Sequence, residues 1–160
     1  MHQSVIEVDY LIFGAGAAGM AFADSLVTET KSTIAIVDRQ HRPGGHWTNA
    51  YPFVRLHQPS AFYGVNSRPL GTGAKDEVGL NKGFYELASG SEVVSYFDLV
   101  MREQFLPSGR VHYFPMSELT DDGVITSLIS GEQRAVKARK IVDATYSCTA
   151  IPAMCAPQYV

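Results

Sequence analysis

Three glycines near the start of the chain, Gly14, Gly16 and Gly19, have the GxGxxG spacing of a turn that can bind a diphosphate. The apolar run at residues 8–13 precedes them and a helical pattern follows, so the sequence predicts a strand, a tight turn and a helix. Gly14 allows the turn, Gly16 lets the backbone approach a pyrophosphate, and Gly19 lets helix and strand pack closely. The free N–H groups at such a helix start receive negative charge without a basic side chain. These residues predict a dinucleotide site.

An acidic residue follows where the sugar of such a ligand is expected. Asp38 comes directly after the β-branched run at residues 32–37, which predicts a second strand. A carboxylate at the end of that strand accepts hydrogen bonds from an adenosine ribose and repels a 2′-phosphate, so FAD and NAD fit better than NADP. Arg39 and Arg42 are close enough in sequence to keep NADP open as an alternative.

Composition limits the protein class and its partners. The chain has 160 residues, 46% of them hydrophobic and 18% charged, and a formal net charge of −3, which suits one folded domain over residues 1–160. We expect no nucleic-acid partner, because no basic run is interleaved with aromatic residues. We expect a cytoplasmic protein without a membrane partner, because no apolar stretch could span a bilayer and no secretory signal is visible. Cys148, Cys155 and the five histidines lack ligand spacing, so no metal is expected.

The order of elements after Asp38 predicts a β-meander inserted in a Rossmann-like sheet. Residues 39–83 are rich in glycine, proline and aromatic residues, and we interpret them as an excursion that contacts the cofactor, with residues 71–83 as its most mobile part. The elements expected next are a helix from Ser91 to Phe105, a strand at 111–114, meander strands at 124–129 and 133–138, and a returning apolar strand at 140–145. The fold class is therefore α/β, a Rossmann-like parallel sheet with an inserted antiparallel β-meander, incomplete at its C-terminal end.

Together these motifs resemble the N-terminal FAD-binding part of the flavin-containing and Baeyer–Villiger monooxygenase group of flavoproteins. Besides the glycine turn and Asp38, residues 44–47 (GGHW) resemble that group's GGxW motif, and residues 49–55 are similar to its following aromatic and arginine segment. Residues 95–97 resemble its helix start, and residues 143–146 stand where the group has an Ala-Thr-Gly turn. The resemblance covers nearly the whole chain.

The resemblance implies FAD as the cofactor, in preference to NAD or NADP, and a set of residues that contact it. These are Gly14, Gly16, Ala17, Ala18, Gly19, Asp38, Arg39, Gly45, His46, Trp47, Arg55, His57, Ser117, Ala144 and Thr145. By this resemblance the glycine turn holds the pyrophosphate, Asp38 holds the adenosine ribose, and the backbone around Ser117 contacts the adenine.

On the flavin side, the resemblance implies that Gly45, His46 and Trp47 lie along the cofactor. It also implies that Arg55 and His57 approach the isoalloxazine, which makes them the candidate catalytic residues. A guanidinium or N–H donor there stabilises the negative charge of reduced flavin. The alternatives are a surface ion pair for Arg55, a hydrogen-bonded loop histidine for His57 and simple loop packing for Trp47.

The chain departs from the group's pattern in three places. Asp38 stands where the group normally has Glu, Tyr146 follows Thr145 where the group has Gly, and the chain ends at Val160 before a nicotinamide domain and a ribityl-binding Gly-Asp segment. The resemblance therefore implies the FAD-binding portion of a flavin-dependent, monooxygenase-like oxidoreductase, truncated and without a full NADPH-dependent cycle of its own. Two alternatives stay open, a non-catalytic dinucleotide-binding module or fragment and a small NAD-dependent dehydrogenase. An exposed sheet edge is expected to favour a homo-oligomer.

Overall fold

The computed structural model describes residues 5–120 and 122–145. Its helices and strands are β1 (Ile6–Phe13), α1 (Ala17–Glu29), β2 (Ile34–Val37), α2 (Gly90–Val100), β3 (Val111–Phe114), β4 (Ser117–Leu119), β5 (Val124–Ser127) and β6 (Gln133–Asp143). Short 3-10 helices occupy Gly45–Asn49, Ser60–Phe62 and Leu106–Ser108, and α2 continues into a π-helical turn at Met101–Phe105. No helix in these two ranges is both long and apolar enough to cross a membrane.

A single six-stranded sheet, in the order β3-β2-β1-β6-β5-β4, forms the centre of the fold. Strands β3, β2, β1 and β6 run parallel, with Tyr10 of β1 opposite Ile34 of β2 and Lys140 of β6. Strands β4 and β5 and the start of β6 are antiparallel. The predicted α/β class, a Rossmann-like parallel sheet with an antiparallel meander, is confirmed.

The meander and the parallel sheet share one strand. The sequence predicts separate strands at 133–138 and 140–145, but the structure has the continuous 11-residue strand β6. Its first residues pair with β5, through Ala135 opposite Val124, and the rest pairs with β1 as far as Asp143 opposite Phe13. The prediction of two strands was wrong because no glycine, proline or turn-forming residue stands between them. Strand β4 was not predicted.

Helix α2 begins with a capping box. Its N-cap is Ser89, so the predicted start at Ser91 is wrong. The Ser89 hydroxyl accepts a hydrogen bond from the N–H of Glu92 at 3.3 Å, and the Glu92 carboxylate accepts one from the N–H of Ser89 at 2.7 Å. The acidic residue of a capping box stands three residues after the N-cap, so the position of Glu92 identifies Ser89 as the N-cap and not Ser91.

Acid is expected to weaken this cap. Hydrogen bonds from the Ser89 side chain and backbone hold the pKa of Glu92 below its usual 4.5. Since the pKa in the folded state is below the unfolded value, the stabilisation is complete above that unfolded value and is lost as pH falls through the folded pKa. In urea unfolding series at neutral and acidic pH, Glu92→Gln is therefore expected to lose less stability on acidification than the wild type. Glu77→Gln, on an exposed loop, is the control, and an unchanged acid response in Glu92→Gln would contradict the assignment.

The two faces of the sheet have separate apolar cores. Helices α1 and α2 cover one face, where Ile12, Phe97 and Phe105 are fully buried. The other face has a smaller core that includes Leu11 of β1 and Ile125 of β5. The larger core therefore holds α1, and with it the turn that precedes α1, against the parallel strands.

The excursion at residues 39–83 packs on the same face as α2. Its buried side chains Leu56, Val65 and Leu70 belong to the larger core. Its last part folds back on residues 84–86 through hydrogen bonds, including one from the N–H of Asp76 to the carbonyl of Phe84 at 3.0 Å. The excursion thus runs from the end of β2, across α2, to the start of that helix.

Candidate functional site

The glycine turn joins β1 to α1 at the carboxyl ends of the parallel strands. Gly14 has φ of 104°, and a Cβ there would lie 3.0 Å from the carbonyl oxygen of Ala144. A Cβ on Gly19, in the first turn of α1, would lie 2.0 Å from the carbonyl oxygen of Gly14. Both positions therefore require glycine for the fold itself, in the predicted roles of tight turn and close helix packing.

Gly16 is a different case. Its φ is −77°, which any residue adopts, and among the described residues an added Cβ would meet within 4 Å only the Cα of Gly45, at 3.6 Å. Neither strain nor a clash inside the protein requires glycine at this position. The missing side chain leaves open space where Gly16 lines a pocket.

Helix α1 presents its N-terminus to this pocket. Gly16 is the N-cap and makes no side-chain cap, and no acidic residue stands in the first turn. The first N–H groups of a helix have no partner inside it, and here those of Ala17 and Ala18 belong to residues that line the pocket. An anion at such a helix start is stabilised by about 0.3–1 kcal/mol through the helix dipole alone.

Asp38 connects the end of β2 to the glycine turn. The residue is only 7% exposed. Its Oδ2 accepts a hydrogen bond from the N–H of Ala15 at 2.5 Å, and its Oδ1 accepts one from the N–H of Gln40 at 2.7 Å. A carboxylate offers about four lone pairs, so each oxygen can accept one further donor from the pocket. Asp38 therefore holds the turn in place and also lines the pocket.

The glycine pair at 44–45 packs directly on the turn. The N–H of Gly44 donates to the carbonyl of Ala15 at 2.9 Å. Gly45 has φ of 56°, and a Cβ there would lie 2.9 Å from the Cα of Gly16. Sequence reasoning assigned Gly45 to cofactor contact and missed this packing, although two consecutive glycines were a visible signal. The backbone of Ala15 is therefore fixed at both of its polar groups, because its N–H donates to Asp38 and its carbonyl accepts from Gly44.

A pocket of about 600 Å³ lies at this edge of the sheet, within the size range of small-molecule sites. Its lining residues are Phe13, Gly14, Gly16, Ala17, Ala18, Asp38, Arg39, Gln40, Gly45, His46, Tyr63, Asp143, Ala144 and Thr145. Most of the residues predicted to contact the cofactor are among them. Sequence reasoning missed Phe13, Gln40 and Asp143, which are neighbours of predicted residues, and Tyr63, for which only its aromatic character was a signal.

Two other predicted residues lie behind the pocket lining. Gly19 packs against the turn, as described above. The indole Nε1 of Trp47 donates to the hydroxyl of Tyr63 at 2.5 Å, and the two rings meet edge to face with centroids 5.7 Å apart. Trp47 thus supports a residue of the pocket, and its own contact with a cofactor stays a prediction.

The remaining predicted residues lie outside this pocket. Arg55 is exposed, donates to the carbonyl of Leu87 at 2.9 Å and lines a separate cavity beside α2. His57 is exposed as well. The N–H of Ser117 donates to the carbonyl of Asp38 at 3.0 Å and its hydroxyl to a neighbouring carbonyl, so neither donor is free for an adenine. Arg55, His57 and Ser117 are therefore not among the residues that line the pocket at the glycine turn, although Ser117 contacts Asp38.

Charge is distributed unevenly along the pocket. The Arg39 guanidinium pairs with the Glu118 carboxylate at 2.7 Å, which offsets its charge beside Asp38. Side-chain and backbone hydrogen bonds from Thr145 hold the pKa of Asp143 below its usual value, so this carboxylate is ionised at neutral pH. Positive potential comes instead from the start of α1. The pocket can therefore receive an anion at the helix and hydroxyl donors at Asp38.

No group of three His, Cys, Asp or Glu side chains within residues 5–120 and 122–145 is placed to hold a metal ion. The predictions about Cys148, Cys155 and Tyr146 fall outside the residues that the structure describes.

Comparison with known proteins supports the dinucleotide assignment. Residues 12–66 match the family of NAD(P)-binding Rossmann-like domains. Uncharacterized proteins from Mycobacterium bovis and Mycobacterium tuberculosis are 56% identical to the chain over 149 residues, which is 93% of this chain and 28% of each relative. The chain thus spans about 28% of the length of these relatives.

Solved structures share the fold. A flavin-containing monooxygenase from Stenotrophomonas maltophilia has a TM-score of 0.62 at 18% identity, over 88% of this chain and 39% of the other. A cyclohexanone monooxygenase mutant from Rhodococcus sp. Phi1, bound to NADP+, has a TM-score of 0.61 at 23% identity, over 95% of this chain and 28% of the other. The resemblance expected from the motifs is confirmed. Residues 12–66 match the NAD(P)-binding Rossmann-like family, and the fold of the chain is similar to the fold of these two solved monooxygenases.

Proposed function

We propose that this chain binds FAD and serves as the FAD-binding domain of a flavin-dependent oxidoreductase. One observation carries the proposal. The pocket at the ends of β1, β2 and β6 combines the uncapped N-terminus of α1, the open space at Gly16 and the carboxylate of Asp38. These are the features that a diphosphate and an adjoining ribose require.

The diphosphate fits at the start of α1. The N–H groups of Gly16, Ala17 and Ala18 would donate to its oxygens, and the absent side chain of Gly16 allows the backbone to approach. The N–H of Ala15 takes no part, because it already donates to Asp38. Binding therefore needs no basic side chain.

The adenosine ribose fits at Asp38. Each carboxylate oxygen has a lone pair left for one hydroxyl of the 2′,3′-diol. A 2′-phosphate would instead bring a second negative charge to a carboxylate whose neighbour Arg39 is already paired with Glu118. This favours FAD or NAD over NADP, and the likeness to flavin-containing monooxygenases favours FAD.

The flavin end of the cofactor would lie towards His46 and Tyr63, which line the pocket beside Gly45. FAD supplies hydride and electron transfer when bound. The role of this chain is to orient the cofactor and to shield it from water. Trp47 supports the Tyr63 ring through the hydrogen bond from its indole N–H. In this proposal the described residues bind the cofactor, and none of them is assigned to bind the reacting substrate.

Titration calorimetry tests this function with four ligands. We expect FAD and ADP to bind with one site per chain, FMN to fail because it lacks the adenosine diphosphate half, and NADP+ to bind at least about tenfold more weakly than FAD, as repulsion worth about 1.4 kcal/mol implies. Binding of FMN as tight as that of FAD would contradict the proposal, and so would the absence of FAD binding.

A second candidate is a dinucleotide-binding module without turnover. The position of Arg55 and His57 favours it, because these two candidate catalytic residues do not line the pocket. The same titration separates the two candidates. A module without turnover should bind ADP nearly as tightly as FAD, whereas a flavin site should add affinity through the isoalloxazine.

A further inference from the structure

A buried polar cluster lies on α1, outside the pocket. Asp24 is fully buried. Its Oδ2 accepts a hydrogen bond from the N–H of Ser67 at 3.0 Å, and its Oδ1 accepts one from Nε2 of Gln104 at 2.9 Å and another from the Ser67 hydroxyl. Nε2 of Gln104 also donates to the Ser67 hydroxyl oxygen at 2.6 Å. The three side chains thus form a closed triangle that joins α1, the excursion and the end of α2.

The charge of Asp24 is held by neutral donors alone. None of the ion pairs in the described ranges includes Asp24. A buried carboxylate that loses a donor bears the full cost of its desolvation. The most stable arrangement of Ser67 and Gln104 is therefore the one in which all of their donors bond to the Asp24 carboxyl group.

Gln104 reaches Asp24 because α2 ends in a π-helical turn, Met101–Phe105. The wider turn contains an extra residue, which shifts the helix faces that follow it. Met101 and Phe105 stay in the core, 1% and 0% exposed, while Gln104 contacts α1. Such turns are frequent at functional positions in helices.

The cluster connects to the pocket through the excursion. Ser67 follows closely after Tyr63, which lines the pocket and accepts the hydrogen bond from Trp47. Between them, the N–H of Val65 donates to the hydroxyl of Tyr96 on α2 at 2.6 Å. This short segment is therefore held from α1 through Ser67 and from α2 through Val65, so the place of the Tyr63 ring depends on both anchors.

We propose that Asp24, Ser67 and Gln104 are positioning residues for Tyr63, which lines the pocket, and for Trp47, which supports the Tyr63 ring from behind. They act through the backbone of residues 63–67 and touch no cofactor themselves. The inference extends the proposed FAD site, but its first test needs no FAD, so the two can fail separately.

Trp47 provides the test, because it is the only tryptophan in the sequence. Gln104→Met removes the donor and keeps the side-chain length, and Gln133→Met, at the exposed start of β6, is the matched control. In the ligand-free protein we expect Gln104→Met to shift Trp47 emission to the red and to increase its quenching by acrylamide. The dissociation constant for FAD should rise about tenfold, the change expected if a displaced Tyr63 ring costs the complex about 1.4 kcal/mol. The control should change neither.

A charge-neutral background distinguishes positioning from general destabilisation. Asp24→Asn combined with Gln104→Met should recover part of the wild-type Trp47 signal, since no buried charge is then left without its donor. If Gln104→Met fails to fold, Ser67→Ala removes one donor from the same cluster and replaces it in the comparison. Wild-type Trp47 emission and quenching in a folded Gln104→Met protein would overturn the proposal, even if its thermal stability fell. A wild-type protein that binds no FAD would overturn the FAD site but not the Trp47 result.

Discussion

Replacing Gly16 with alanine is expected to weaken FAD binding about 100-fold while the protein stays folded. The φ of −77° suits alanine, and the added Cβ would make only an ordinary contact with Gly45 Cα at 3.6 Å. In the complex, the same methyl group would stand where the backbone must approach the diphosphate. Overpacking of this kind costs about 1–3 kcal/mol, and here the cost falls on the complex alone.

Calorimetric FAD affinity and thermal unfolding of the ligand-free protein together measure this effect. Gly131→Ala is the control, since a Cβ at Gly131 would meet nothing within 4 Å in the part of the chain that the structure describes. Its φ of 71° predicts a modest loss of stability with unchanged FAD affinity. A Gly16→Ala protein with wild-type affinity would show that the diphosphate does not lie against this turn.

Replacing Gly19 with alanine is expected to affect stability and not ligand contact directly, with a loss of about 3 kcal/mol or more in the free energy of unfolding. The Cβ would lie 2.0 Å from the carbonyl oxygen of Gly14 and 3.1 Å from its carbonyl carbon. These are backbone atoms of the turn, so relief requires α1 to move away from β1. Alanine is better than glycine in a helix by about 1 kcal/mol, which is too little to offset the clash.

Urea unfolding followed by circular dichroism measures this loss, with Gly16→Ala as the matched variant. Gly19→Ala should lower the unfolding midpoint strongly, and Gly16→Ala, which only replaces the N-cap residue of α1, should lower it much less. Equal stability of the two variants would contradict the close contact of α1 with the turn. The contrast separates a glycine required by the fold from a glycine required by the ligand.

The first part of the fold could be predicted because its signals are local. Strand, glycine turn, helix, second strand and acid follow one another within residues 8–38, and each has its own periodicity or turn chemistry. Strand β6 was predicted as two elements although no turn-forming residue divides it, and the structure shows one strand that pairs with β5 over residues 133–135 and with β1 from Val136 onwards. Tertiary pairing, not local propensity, decides such a case.

The candidate site divides in the same way. Gly14, Gly16 and Asp38 could be placed because sequence spacing alone brings the turn and the strand end together. The packing of Gly45 on Gly16 and the support of Tyr63 by Trp47 depend on how a long excursion folds back. Asp24 gave no signal, since its partners Ser67 and Gln104 are distant in sequence.

A crystal structure of the chain with FAD tests the central claim most directly. The quantities to measure are the distances from the diphosphate oxygens to the backbone nitrogens of Gly16, Ala17 and Ala18, and from the ribose hydroxyls to the Asp38 carboxylate. We expect each group to be at hydrogen-bond distance, about 2.7–3.2 Å. A cofactor bound elsewhere, with these amides facing only solvent, would contradict the account.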